Sequence, residues 1–147
     1  MRKVILYLED EPSLRRHTTD LLKEQGCDVK EFGRIDQARE YFTDHSDDIA
    51  CVVADLMMDD QWLNEYRDES QGGMLSGWVW LQRFVYPQKP NIPTVVYSGF
   101  VPYLVDFLKG KDQLSLLETY NIVFVEKGYG EYEGFSGLMN ALKKMGI

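Results

Sequence analysis

The chain has 147 residues, of which 44% are hydrophobic, 27% charged and 13% aromatic. That length suits one domain that buries roughly 70% of the surface of its unfolded chain, and such an aromatic content argues against a disordered polymer. A formal net charge of −8 disfavours broad contact with nucleic acid or an anionic membrane, because a field of that sign repels polyanions.

The N-terminal stretch MRKVILYLEDEP starts basic, but its apolar run is short and ends in acids. It is neither a secretory signal nor a membrane span, and a cytoplasmic protein is expected. Val4 to Leu8 has the β-branched, brief character of a buried strand, followed by Glu9-Asp10-Glu11. Pro12 suits the first turn of a helix, and from Ser13 to Gln25 the residues Leu14, Leu21 and Leu22 fall on one helical face that Gly26 terminates. Asp28 to Phe32 reads as a second strand, and Ile35 to Phe42 carries a second helical pattern through Ala38, Tyr41 and Phe42. The two cysteines, Cys27 and Cys51, sit in apolar surroundings without paired or metal-ligand spacing, so both are expected to be reduced core residues.

The run Ile49 to Met58 is apolar until it meets Asp55, as a strand buried on both faces would be. An Asp in that position is commonly a turn former or helix cap, but in open parallel sheets ligands bind beyond the carboxyl ends of the strands. Asp59 to Ser76 is polar, acid-rich and marked by Gly72-Gly73, a long loop without periodicity. Helical patterning resumes at Gly77 through Trp78, Leu81, Phe84 and Val85 and closes near Pro87 and Pro90. A fourth strand spans Ile92 to Tyr97 and runs into Ser98-Gly99. Phe100 to Tyr120 reads as a helix broken near Gly110. A fifth strand, Asn121 to Glu126, leads into Lys127-Gly128, and Leu138, Leu142 and Met145 mark a last helix. Alternation of strands and helices predicts one α/β domain over 1–147, a parallel sheet with helices on both faces and an insertion at 59–76.

Such a sheet opens the strand ends onto one edge, bringing together Glu9 and Asp10, Asp55, Ser98 and Lys127. Three neighbouring carboxylates repel one another unless a cation joins them, and a hard divalent ion that keeps some waters, Mg²⁺, is the natural match. Lysine offers a compact charge for an incoming phosphate, and serine a hydroxyl donor. The set fits phosphoryl transfer onto an aspartate.

ILYLEDEPSLRR, VVADLMM, IPTVVYSG and VFVEKG, in this order at four strand ends, resemble the response-regulator receiver domains of two-component signalling. The resemblance implies a flavodoxin-like, doubly wound, five-stranded parallel sheet of order 2-1-3-4-5. It implies that Asp55 accepts the phosphoryl group and that Asp10 binds Mg²⁺ directly, with Glu9 binding it directly or through water and Met57 contributing its backbone carbonyl. Ser98 and Lys127 would contact the phosphate oxygens, and Phe124 would be the aromatic switch residue, with a permanently buried core ring as the competing reading. Expected partners are a histidine kinase or phosphotransfer protein and a downstream protein, with a homodimer through the face of the fourth helix, fifth strand and fifth helix as a further possibility. Neither nucleic acid nor membrane is expected.

Several features depart from that family. Met58 is followed by Asp59-Asp60 and Lys127 by Gly128, where proline is usual, which puts the family's cis peptide after the lysine in doubt. The 59–76 segment carries Trp62 and Tyr66 among acids beside the phosphorylation edge, as a lid or docking loop would, although a solvated excursion costs little. The enlarged fourth helix region suggests a private partner or dimer. His17 and His45 are expected on helix surfaces. With no output segment after the last predicted helix, the leading expectation is a stand-alone phosphoacceptor switch rather than an enzyme. The alternatives are a receiver-like adaptor that works without phosphorylation and a Mg²⁺-dependent hydrolase using Asp59 or Asp60 as a general acid.

Overall fold

The computed structural model describes residues 4–58, 63–128 and 133–147. Five strands, β1 (Val4–Leu8), β2 (Asp28–Phe32), β3 (Ile49–Ala54), β4 (Thr94–Ser98) and β5 (Ile122–Glu126), pair in parallel in the order β2-β1-β3-β4-β5. This is the expected doubly wound, flavodoxin-like order. It places β1 and β3, the two strands followed by acids, side by side at the centre.

Successive side chains of a strand point to opposite faces, so a central strand must be apolar throughout. Leu6, Leu8, Val52, Ala54 and Val96 pack with α2 (Ile35–His45), α4 (Ser76–Trp80) and α5 (Val101–Gly110) through Phe42, Trp80 and Leu104. Ile5, Tyr7, Cys51, Val53, Val95 and Tyr97 form the opposite core with α1 (Pro12–Glu24) and α7 (Glu133–Lys144) through Leu22, Leu138 and Leu142. Cys51 is buried and unbridged, and burial pushes its thiol up to about 12, so it is a core residue as its surroundings predict. Cys27 is likewise free and half-buried.

Element boundaries differ from the sequence pattern where a local bond decides them. Helix α1 begins at Pro12 because the Glu11 carboxylate caps it, accepting from the backbone N–H groups of Ser13 at 3.1 Å and Leu14 at 2.6 Å. Strand β4 starts at Thr94, since Pro93 has no N–H to give the ladder, and Thr94 donates to the Asn121 carbonyl at 2.9 Å. The helix expected from Gly77 begins at Ser76 and passes at Leu81–Val85 into a π-helical stretch, with Tyr86 N donating to Leu81 O at 3.0 Å. Helix α5 ends at Gly110, and a short α6 (Leu116–Thr119) follows. The break expected near Gly110 is therefore present.

Part of the long loop is folded. A short helix, α3 (Leu63–Tyr66), is followed by turns in which Gln71, Gly72 and Gly73 take positive φ. The loop returns against α4 and the π-helical stretch: the Tyr66 ring meets Phe84 edge-on at 6.1 Å, and Arg83 pairs with Glu69 at 2.7 Å. Tyr66, expected among exposed aromatics, is thus half-buried. Trp62, Asp59 and Asp60 lie outside the described residues. His45 is exposed at the end of α2 as expected, stacked on Tyr41 at 4.4 Å, whereas His17 is half-buried in α1 rather than on the surface. No cis peptide occurs among the described residues, and none of their helices is long and apolar enough to cross a membrane.

Candidate functional site

The ladder itself carries the acids to the edge. Asp55 follows the last residue of β3 and its N–H donates to Leu8 O at 3.0 Å, while Glu9 follows β1 and donates from its N–H to Phe32 O at 3.0 Å. Each N–H is therefore tied to the neighbouring strand, which carries the acid to the sheet edge. Glu9, Asp10 and Asp55 each present a carboxylate oxygen within 4.8 Å of the others. Glu9 and Asp55 are buried, and Asp10 is half-buried.

Lys127 follows β5, with its N–H donating to Ser98 O at 3.1 Å. Its ammonium donates to Asp55 Oδ2 at 3.0 Å and to Glu9 Oε1. The second Asp55 oxygen, Oδ1, accepts from the Leu56 N–H at 2.7 Å. Ser98 is fully buried at the end of β4, where its Oγ accepts from the Phe100 N–H at 3.0 Å. Asp10, Asp55, Met57, Phe100 and Lys127 line an open cleft of about 270 Å³ at this edge. Met57 is exposed and lines the same cleft.

Burial and the adjacent Asp55 charge push the Glu9 carboxyl up to about 8, against the opposing pull of Lys127. Burial works to lower the Lys127 pKa, but the charges of Asp55 and Glu9 outweigh it and hold the ammonium above its ordinary range. The cluster thus carries more negative charge than a single lysine relieves. A hard divalent cation fits, because three converging carboxylates are oxygen donors of the type Mg²⁺ prefers, and their repulsion falls when a cation joins them.

Phe124 lies on β5 and is half-buried against Trp78 of α4, the rings meeting edge-on at 6.3 Å and 80°. The ring thus packs on the same core as α4 and α5 rather than joining the acidic cleft.

Other residues that shape the site were not singled out from the sequence. The Tyr97 ring lies 5.4 Å from the Lys127 ammonium, a cation–π contact on a strand residue that reads as core. Arg15 donates from Nη1 to the Glu9 carbonyl at 2.8 Å. Gly77 packs so tightly that a Cβ there would stand 1.9 Å from the Asp55 carbonyl oxygen, so no larger residue fits between α4 and the acid-bearing loop. The serine-glycine pair opening α4 was the available signal for this close approach.

No family model and no curated relative matches the chain. Solved structures match it over nearly its whole length. The response regulator TrrA of Thermotoga maritima, solved in complex with Mg²⁺–BeF, is 19% identical with a TM-score of 0.68, covering 97% of this chain and 98% of its own. The receiver domain of HemR from Leptospira biflexa is 15% identical with a TM-score of 0.68, covering 98% of this chain and 94% of its own. A receiver-domain protein from Clostridium thermocellum is 18% identical with a TM-score of 0.66, over 97% of this chain and 95% of its own. The fold is that of response-regulator receiver domains.

Proposed function

We propose that this chain is a signalling receiver that takes a phosphoryl group onto Asp55 in a Mg²⁺-dependent reaction and alters its partner binding in response. The observation that carries the reading is the Lys127 ammonium held between Glu9 and Asp55 at the end of a 2-1-3-4-5 sheet. A buried lysine shared by two buried acids has little use in a passive scaffold, since ion pairs of this kind seldom add net stability.

In this reading Glu9, Asp10 and Asp55 hold Mg²⁺ through carboxylate oxygens, together with the backbone carbonyl of Met57. The ion would supply positive charge for the phosphoryl oxygens. The Leu56 N–H holds Asp55 Oδ1 and Lys127 holds Oδ2; in this reading Oδ2 would be the attacking oxygen, released as Lys127 turns to the incoming phosphoryl group. Oδ2 forms the new bond to phosphorus as the bond from phosphorus to the donor nitrogen or oxygen breaks; the leaving group departs with that electron pair and takes its proton from solvent. Lys127 then moves from Asp55 to a phosphoryl oxygen, and the Ser98 hydroxyl donates to another. Phe124 is the ring whose packing against Trp78 responds. The donor is a histidine kinase or phosphotransfer protein in the cytoplasm, and the output is a downstream protein. A homodimer would use the face of α5, β5 and α7, where Tyr103 and Val123 are exposed.

The test is incubation with Mg²⁺ and a small-molecule phosphodonor, followed by intact mass measurement of the native chain and Asp55→Asn. A phosphoryl adduct confined to the native chain is expected. No adduct with any donor or kinase would favour an adaptor that works without phosphorylation, and rapid turnover of added phosphoesters would favour a hydrolase.

A further inference from the structure

Arg15 stands behind the acidic cluster, on the first turns of α1, and its guanidinium touches three elements that meet at the sheet edge. Its Nη1 donates to the Glu9 carbonyl at 2.8 Å, in the loop between β1 and α1. Its Nε lies 3.8 Å from Glu31 Oε1 on β2. It also rests on Gly33, in the turn between β2 and α2, where a Cβ would stand 2.5 Å from Nη1. The side chain is 20% exposed, so the group is held in place rather than waving in solvent. Gly33 does not take a positive φ, so its backbone tolerates alanine and what the missing side chain provides is room for the guanidinium.

We propose that Arg15 and Gly33 act together as a positioning device for the metal-binding acids, fixing the Glu9 backbone so that the carboxylates of Glu9 and Asp10 converge with Asp55. A metal ligand's affinity depends on the groups that hold it in orientation, and here the hold is a charged donor on the carbonyl of the ligand-bearing residue. Glu31 offsets part of the arginine charge from β2, and shares the same oxygen with Arg16 at 3.9 Å. The inference rests on the receiver reading of the site.

Two charge-conserving variants test it in the full chain. Arg15→Lys keeps the positive charge but loses the planar fork that reaches the Glu9 carbonyl and Glu31 together. Gly33→Ala keeps Arg15 but pushes its guanidinium aside. Isothermal titration with Mg²⁺ measures affinity, and thermal unfolding without divalent ions measures stability separately. Each variant is expected to bind Mg²⁺ roughly tenfold more weakly, and the double variant no more weakly than either alone, because both break one contact. A merely structural role would lower the unfolding temperature and leave the Mg²⁺ affinity of the folded chain unchanged, which would overturn the proposal. Additive losses would overturn it too, as would variants that bind like a native chain that does bind. If the native chain itself takes up no Mg²⁺, the receiver reading falls and this inference falls with it.

Discussion

Lys127→Ala leaves Glu9, 2% exposed, and Asp55, 11% exposed, without the ammonium they share. Removing one member of a buried ion pair costs about 3–5 kcal/mol when the remaining charge has no escape. Glu9 has one, since burial and Asp55 already push its carboxyl up to about 8 and it keeps a proton near neutrality. The loss near pH 7 is therefore expected at about 2 kcal/mol, below that range. Above about pH 8 the native Glu9 ionises against Lys127 while the variant's holds its proton, so the stability gap widens by up to about 1.4 kcal/mol per pH unit. Urea unfolding of both proteins without divalent ions, at about pH 7 and about pH 9.5, reads this directly. Lys127 and Mg²⁺ compete for the same oxygens, so the variant should also bind Mg²⁺ more tightly. A gap that does not change with pH, together with unchanged or weaker Mg²⁺ binding, would refute the shared-cation account.

Other outcomes follow from the same geometry. Because Glu9 is raised from 4.5 to about 8, its contribution to the stability of the metal-free native chain is full at acid pH and is lost as pH rises through that window. Saturating Mg²⁺ should flatten this slope in urea titrations, and a slope indifferent to Mg²⁺ would contradict the shared site. Gly77→Ala sets a Cβ 1.9 Å from the Asp55 carbonyl oxygen and should cost about 1–3 kcal/mol as overpacking does, read as a lower urea midpoint; an unchanged midpoint would rule out the close approach. Tyr66→Ala removes the ring that meets Phe84 edge-on and lies 5.1 Å from the Arg83 guanidinium, a loss of about 1 kcal/mol. Limited proteolysis should then cut faster within residues 63–75, and an unchanged rate would show that these contacts do not hold the segment.

The strands were legible because buried parallel strands leave a signal that survives without context: Val4–Leu8 and Ile49–Ala54 are continuous apolar runs ended by acids. The acids' convergence was legible for the same reason, since a parallel sheet sends every carboxyl end to one edge. What the residues did not disclose depends on contacts distant in sequence. Tyr97 ends a predicted strand with no sign of a polar role until the fold sets its ring beside Lys127, and nothing in the residue pattern links Arg15 to Gly33, which makes room for it. The 59–76 segment looked aperiodic because its order, where described, comes from docking on Phe84 and Arg83 rather than from its own pattern. The π-helical stretch at Leu81–Val85 has no comparable sequence signature, and its neighbours Tyr66 and Glu69 come from that same docked segment.

Peptide-level mass mapping of the phosphoryl adduct tests the central claim most directly. After reaction with a small-molecule phosphodonor and Mg²⁺, the added group should lie on Asp55 and disappear when Mg²⁺ is chelated before the donor is added. An adduct on Asp10, Ser98 or a histidine, or one that forms equally well without a divalent ion, would contradict the account.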